Sequence, residues 1–128
     1  MPITLDGKVC VDECIRPKMN EKLLSRMKPL LGPNSITNAG NACLTHDGAA
    51  FVYVSNTKGP FRIHSVMPWA GNPQFSPEGA LESTEAILKR TDLTMNDIDV
   101  VEWNEAFAII DVLFNKAYPN HMEKYNKL

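Results

Sequence analysis

The chain has 128 residues, 44% of them hydrophobic and 22% charged, and its 13 Lys and Arg against 15 Asp and Glu give a net charge of −2. One domain of this size can bury a core without metals or disulfides, and charges scattered without a basic block exclude phosphate-backbone binding, so no nucleic acid partner is expected. No run of about 18 apolar residues occurs and Met1-Pro2-Ile3-Thr4-Leu5-Asp6 carries no cationic segment leading into a hydrophobic one, so neither membrane insertion nor export is expected, and the odd set Cys10, Cys14 and Cys43 reads as thiols in a cytoplasmic protein.

The first 19 residues, with Val9, Val11 and Ile15 among polar neighbours and then Pro17, suit an extended segment. Asn20 is placed to cap a helix whose apolar set, Leu23, Leu24, Met27, Leu30 and Leu31, repeats at spacings of three and four until Pro29 and Gly32 end it. Residues 33–48 are rich in Asn, Gly, Thr and Ser, which build turns because Gly and Asn tolerate positive φ and short polar side chains bond to nearby backbone. Residues 49–54 (AAFVYV) form a short apolar run with β-branched and aromatic content, predicting a strand buried on both faces. Asn56, Lys58, Gly59 and Pro60 break it, residues 61–67 read as a second strand, and residues 68–79 are another Pro, Gly and Asn loop.

Residues 77–90 predict a helix with Pro77 near its start, Glu78, Glu82 and Glu85 early, and Lys89 and Arg90 last, as the helix dipole favours. Leu81, Thr84, Ile87 and Leu88 would face the core. Thr94-Met95-Asn96-Asp97 fits a capping box with Asp in the acid position. Residues 98–102 predict a strand. Asn104 opens the last predicted helix, with Phe107, Ile110, Leu113, Phe114 and Ala117 on one face. The alternation of strands and helices places the chain in the α/β class, a mixed sheet with helices packed on it.

Three features could carry chemistry. In open α/β sheets, ligands gather beyond the carboxyl ends of strands, where helix N-termini present free N–H groups. Asn104-Glu105-Ala106-Phe107, following the 98–102 strand, occupies such a place: Asn104 is either a plain helix cap or a donor that polarises a carbonyl or holds a water. Cys43, in Ala39-Gly40-Asn41-Ala42-Cys43 ahead of His46, could be a nucleophile, or could share a metal with Cys10 and Cys14. The spacings are Cys-x3-Cys and Cys-x2-His rather than paired zinc knuckles, so no metal site is assigned and an ordinary loop thiol is preferred. His46, His64 and His121 each stand alone in sequence and are not assigned a catalytic role.

Read together, five segments resemble the thiolase family of acyl-CoA acyltransferases. Asp12-Glu13-Cys14-Ile15-Arg16-Pro17 is similar to an Asp-Glu-x-Ile-Arg element of that family. Thr37-Asn38-Ala39-Gly40-Asn41-Ala42-Cys43 with Asp47-Gly48-Ala49-Ala50 resembles its Thr-x-Thr-Ala-Gly-Asn-Ala-Ser and Asn-Asp-Gly-Ala-Ala elements. Arg62-Ile63, Asp97-Ile98-Asp99 and Asn104-Glu105-Ala106-Phe107-Ala108 follow in the family's order. One tetrapeptide of this kind is a weak signal; five in register with similar spacing are specific.

The resemblance implies chemistry on coenzyme A thioesters: one cysteine takes the acyl group, a second removes a proton from acetyl-CoA, and two oxyanion holes stabilise the charge. It assigns Asn104 the water-holding role in one oxyanion hole, Phe107 a place along the pantetheine tunnel, and Ala39, Gly40 and Cys43 a pantetheine-contacting loop, with Cys43 standing where the family has Ser. A thiol bonds more weakly than a hydroxyl there. Ser76, in Phe75-Ser76-Pro77, corresponds more loosely to a tunnel-lining position. The family's nucleophile segment, Cys-x-Ser, and its Gly-His-Pro and Cys-x-Gly tripeptides have no counterpart in these 128 residues.

The chain is therefore expected to be an internal portion of a thiolase-like α/β fold, incomplete relative to the full fold and inactive alone. Residues 1–48 would come from the CoA-covering loop region, residues 49–60 from the last strand of the first half, and residues 61–128 from the front of the C-terminal domain. No tightly bound cofactor is expected. Acyl-CoA or CoA would be the substrate, with a complementary thiolase chain or a homo-oligomer as partner. The alternatives are a non-catalytic module that binds CoA or a partner, or a decayed remnant.

Overall fold

Asp-Gly between two short alternating segments is a two-residue hairpin signal, because a tight turn matching strand twist needs φ > 0 at both central positions. In the computed structural model, which describes residues 3–10 and 18–127, strands β1 (Ile3–Leu5) and β2 (Lys8–Cys10) pair antiparallel with Thr4 opposite Val9. Asp6 and Gly7 have φ of 49° and 75°. The extended reading of the first residues holds over this hairpin; Val11, Cys14 and Ile15 lie outside the described residues. The chain divides into two units, Met1–Thr45 and His46–Leu128.

In the first unit, Asn20 caps helix α1 (Glu21–Leu24), its Oδ1 accepting from Leu23 N at 2.9 Å. The helix predicted to run on to Leu31 stops after one turn. Arg26 and Met27 bond three residues back, to Leu23 O and Leu24 O, and Pro29 brings no N–H and crowds the carbonyl of Ser25. A helix this short lacks cooperative support, and Leu23, Leu30 and Leu31 stay exposed. Leu24 and Met27 instead lie over Gly40, where an added Cβ would fall on Leu24 Cδ2 and Met27 Sδ. The chain returns through a bridge of Pro29 with Asn38, with Leu30 N donating to Thr37 O at 2.8 Å.

The second unit begins with residues 46–72, which contain neither helix nor strand. The strands predicted at 49–54 and 61–67 are not formed. Phe51 is 96% exposed and Tyr53 93%. A strand satisfies its backbone only through a neighbour, and among the described residues none pairs with this segment.

From Asn72 the chain is helical. Asn72 Oδ1 accepts from Gln74 N at 3.0 Å and opens a 3₁₀ segment, Pro73–Glu78. Helix α2 (Gly79–Thr91) follows, with Glu82 in its first turn and Lys89 and Arg90 in its last, as predicted within two residues. It ends at Asp92 in the left-handed region (φ 56°), with Leu93 N donating to Leu88 O. The predicted capping box forms: the Thr94 amide and hydroxyl donate to Asp97 Oδ2 at 2.8 and 2.7 Å. These two bonds, hydroxyl first, hold the Asp97 carboxyl below its ordinary range.

The strand predicted at 98–102 is reduced to one parallel bridge, Val101 with Tyr125, in which Val101 N donates to Lys124 O and Asn126 N to Val101 O. The last helix also differs. Helix α3 (Ile109–Ala117) starts five residues beyond Asn104, with Ala108 at its N-cap position, and a 3₁₀ segment, Pro119–Lys124, follows. Phe107 O accepts from Ile110 N and Ala108 O from Val112 N, so the first turn forms on the apolar stripe rather than on the polar motif.

Trp103, Phe114 and Tyr125 centre the core of this unit, with Met95, Val101 and Ile110 beside them and Leu81 and Leu88 of α2 packed against it. Trp103 meets Phe114 edge to face with centroids 5.0 Å apart, and Phe114 stacks on Tyr125 at 4.3 Å. Phe114 is fully buried.

Candidate functional site

The segment 101–105 runs from buried to exposed. Val101 and Trp103 are buried, whereas Asn104 and Glu105 face outward. Four hydrogen bonds hold the residues on either side of Asn104, two of them to the Trp103 backbone. The Trp103 indole donates to Thr84 Oγ1 of α2 at 2.9 Å. Asn126 Oδ1 accepts from Trp103 N at 2.8 Å, and its Nδ2 donates to Trp103 O at 3.0 Å and to Glu105 Oε1 at 2.6 Å.

Asn104 itself caps nothing, since α3 begins at Ile109. It stands at the edge of a cleft of about 440 Å³ whose walls include Ser83, Thr84 and Ile87 of α2 and Val100 to Trp103. A primary amide there offers two donors and an acceptor on a wall that is mostly apolar, where a hydrogen bond to a charged oxygen is stronger than in water.

Ser76 borders a second cleft, of about 410 Å³, with Met67, Trp69 and Phe75. Trp69 is held there by its indole N–H, which donates to Glu82 Oε2 at 2.9 Å. The two clefts share Ala80 and Ser83 at the start of α2, so Ser76 and Asn104 border adjoining hollows. Phe107 is half-buried and lines neither of these two clefts.

Ala39, Gly40 and Cys43 belong to the first unit, in a loop tied by its own asparagines. Asn41 Oδ1 accepts from Asn38 N at 2.8 Å, Asn38 Oδ1 from Gly40 N at 2.8 Å, and Asn41 Nδ2 donates to Ile36 O at 2.9 Å. This ring fixes the Gly40 backbone against α1 and leaves Ala39 and Cys43 exposed. Cys10 and Cys43 are exposed thiols outside any disulfide; Cys14 lies outside the described residues. Among the described residues no three His, Cys, Asp or Glu side chains gather as metal ligands, and no helix is long and apolar enough to cross a membrane.

Sequence reasoning did not single out Asn126 or Tyr125, and it placed Thr84 on the core-facing side of its helix without foreseeing the bond it accepts from the Trp103 indole. The signal for Asn126 lies in its backbone, at φ 44°, a left-handed conformation that Asn tolerates better than most residues. Among the described residues the buried Tyr125 hydroxyl finds no hydrogen-bond partner. Burial first, and then the Glu105 carboxylate nearby, raise its pKa well above the ordinary phenol value.

The family model described as "Thiolase, C-terminal domain" matches residues 60–128. The chain belongs to the thiolase family. Its relatives include VraB of Staphylococcus epidermidis, 36% identical over 106 residues that cover 76% of this chain and 27% of that protein. A 3-ketoacyl-CoA thiolase of Idiomarina loihiensis is 34% identical over 110 residues, covering 79% of this chain and 28% of the relative. A beta-ketoadipyl-CoA thiolase of Pseudomonas aeruginosa is 32% identical over 122 residues, covering 84% and 30%. This thiolase chain thus spans about three-tenths of the length of these relatives. The matched region contains both clefts, α2, α3 and the whole segment around Asn104.

Proposed function

We propose that this chain carries one oxyanion-stabilising side and part of the coenzyme A contact surface of a thiolase-type acyltransferase. The substrate is a coenzyme A thioester, and the reaction is Claisen condensation or its reverse, thiolysis. When a nucleophile adds to a thioester carbonyl, negative charge moves onto the oxygen. An amide N–H already aimed at that oxygen, directly or through a water, stabilises the charge without reorganising at the moment of reaction. Asn104 is the residue assigned to this. Ala39, Gly40, Cys43, Ser76 and Phe107 are assigned to the pantetheine arm, with residues 1–48 serving the CoA-covering region and residues 61–128 the C-terminal domain. The partner is a complementary thiolase polypeptide or another copy of the chain, and the setting is acyl-CoA metabolism in the cytoplasm.

The observation that carries this reading is that Asn104 is exposed at a cleft edge, free of any helix-capping duty, inside the region matched to the family. The test is turnover of a 3-ketoacyl-CoA with CoA by the intact native protein, meaning this chain together with the thiolase polypeptide that completes it. Loss of the 3-ketoacyl thioester together with formation of two shorter thioesters is expected, and saturable CoA binding without turnover would contradict it. That second outcome would support a non-catalytic CoA-binding module, the reading favoured by the exposed Phe51, Val52 and Tyr53, which suit contact with another polypeptide.

A further inference from the structure

We infer that Asn126 is a positioning residue that sets the direction of the Asn104 side chain; the inference rests on the reading of Asn104 as an oxyanion donor. All three hydrogen-bonding functions of the Asn126 amide are spent on the two residues flanking Asn104: Oδ1 on Trp103 N, and Nδ2 on Trp103 O and on Glu105 Oε1. Among the described residues nothing hydrogen-bonds the Asn104 amide, so the backbone alone aims it. The two bonds to Trp103 hold that backbone directly on one side, and the bond to the Glu105 carboxylate tethers the side chain on the other.

Asn126 is itself anchored. Its backbone N–H donates to Val101 O at 2.8 Å, and it holds φ at 44°, which turns its side chain back along the segment it has just paired with. The core does not depend on this amide, because Trp103 is also held by the Thr84 bond and by its ring contacts with Phe114 and Tyr125. What the amide adds is restraint on either side of the proposed donor. Electrostatic stabilisation needs donors held in place before charge develops, and a shift of about 1 Å can cost on the order of a hundredfold in rate.

The chemistry of the clamp is specific to a carboxamide. Aspartate keeps the acceptor for Trp103 N but faces Trp103 O and the Glu105 carboxylate with a second charged oxygen. Glutamine at position 105 would relieve part of this by donating an N–H back to that oxygen.

The experiment measures kcat and KM for thiolysis of a 3-ketoacyl-CoA in the intact native protein, per folded molecule, for Asn126→Ala, Asn126→Asp and Asn126→Asp with Glu105→Gln. Expected are a fall in kcat of roughly 10- to 100-fold for Asn126→Ala with KM within about twofold, a larger fall for Asn126→Asp, and recovery of about tenfold when Glu105→Gln is added. Unchanged kcat per folded molecule, or no recovery in the double variant, overturns the inference. Amide hydrogen exchange separates this from failure of the donor reading. If Asn104→Ala leaves turnover intact, the donor reading fails, while faster exchange of Trp103 N–H in Asn126→Ala, with Val101 N–H still protected, upholds the clamp. Equal exchange at both positions in Asn126→Ala and the parent protein overturns the clamp as well.

Discussion

Residues 46–72 and residues 73–127 are both rich in apolar side chains, yet only the second stretch builds a core. The difference is where each finds its hydrogen bonds. Helices α2 and α3 satisfy their backbone within themselves and need only a common apolar face, which Trp103, Phe114 and Tyr125 supply. The 49–54 run has the composition of a buried strand, but a strand borrows both its backbone partners and its cover from other elements. Apolar composition alone therefore does not decide what is buried.

The largest expected effect falls on the core. Phe114→Ala should cost about 3 to 5 kcal/mol, since it removes a fully buried ring from contact with three other aromatics. Denaturant unfolding followed by far-UV dichroism checks this, and a loss below about 1.5 kcal/mol would mean that the helices are held by something other than this cluster. Tyr125→Phe removes the unpartnered buried hydroxyl and should raise stability by up to about 1 kcal/mol. A loss of that size instead would show the hydroxyl bonded to Glu105.

Phe51→Ser tests the other side of the comparison. At 96% exposure the ring contributes little, so the unfolding free energy should change by less than about 0.5 kcal/mol. A loss above about 2 kcal/mol would show that the 49–54 run is packed against another surface in solution.

The smallest effect is pH-dependent. Asp97 has its pKa lowered from an ordinary 3.8 by the Thr94 bonds, so its contribution is complete above the unfolded value and lost as pH falls through the folded one. Asp97→Asn should therefore be less stable than the parent at pH 7, and the gap should close as pH drops below about 4. A gap constant from pH 7 to pH 2 would refute the capping role of the carboxylate.

What could be read from residues alone follows the same division. Helix α2 and the Thr94 box were legible because their signals are local: acids early and bases late, a hydroxyl three residues before a carboxylate. The Asn20 cap was legible on the same ground, although Pro29 and weak cooperativity cut its helix to one turn. The 49–54 strand failed because pairing is not local, and Asn104 was misplaced as a helix opener because its apolar neighbours, not its amide, decide where α3 begins. The kinship was legible in the short motifs, and residues 60–128 match the family's C-terminal domain. The Asn126 clamp was not, since its three bonds join positions 21 and 23 residues apart in the chain.

Asn104→Ala, assayed for thiolysis of a 3-ketoacyl-CoA in the intact native protein, tests the central claim most directly. The expected result is a fall in kcat of about 10² to 10³, the usual cost of losing an oxyanion donor, with the melting temperature unchanged because the side chain is exposed and caps no helix. Turnover equal to that of the parent would contradict it.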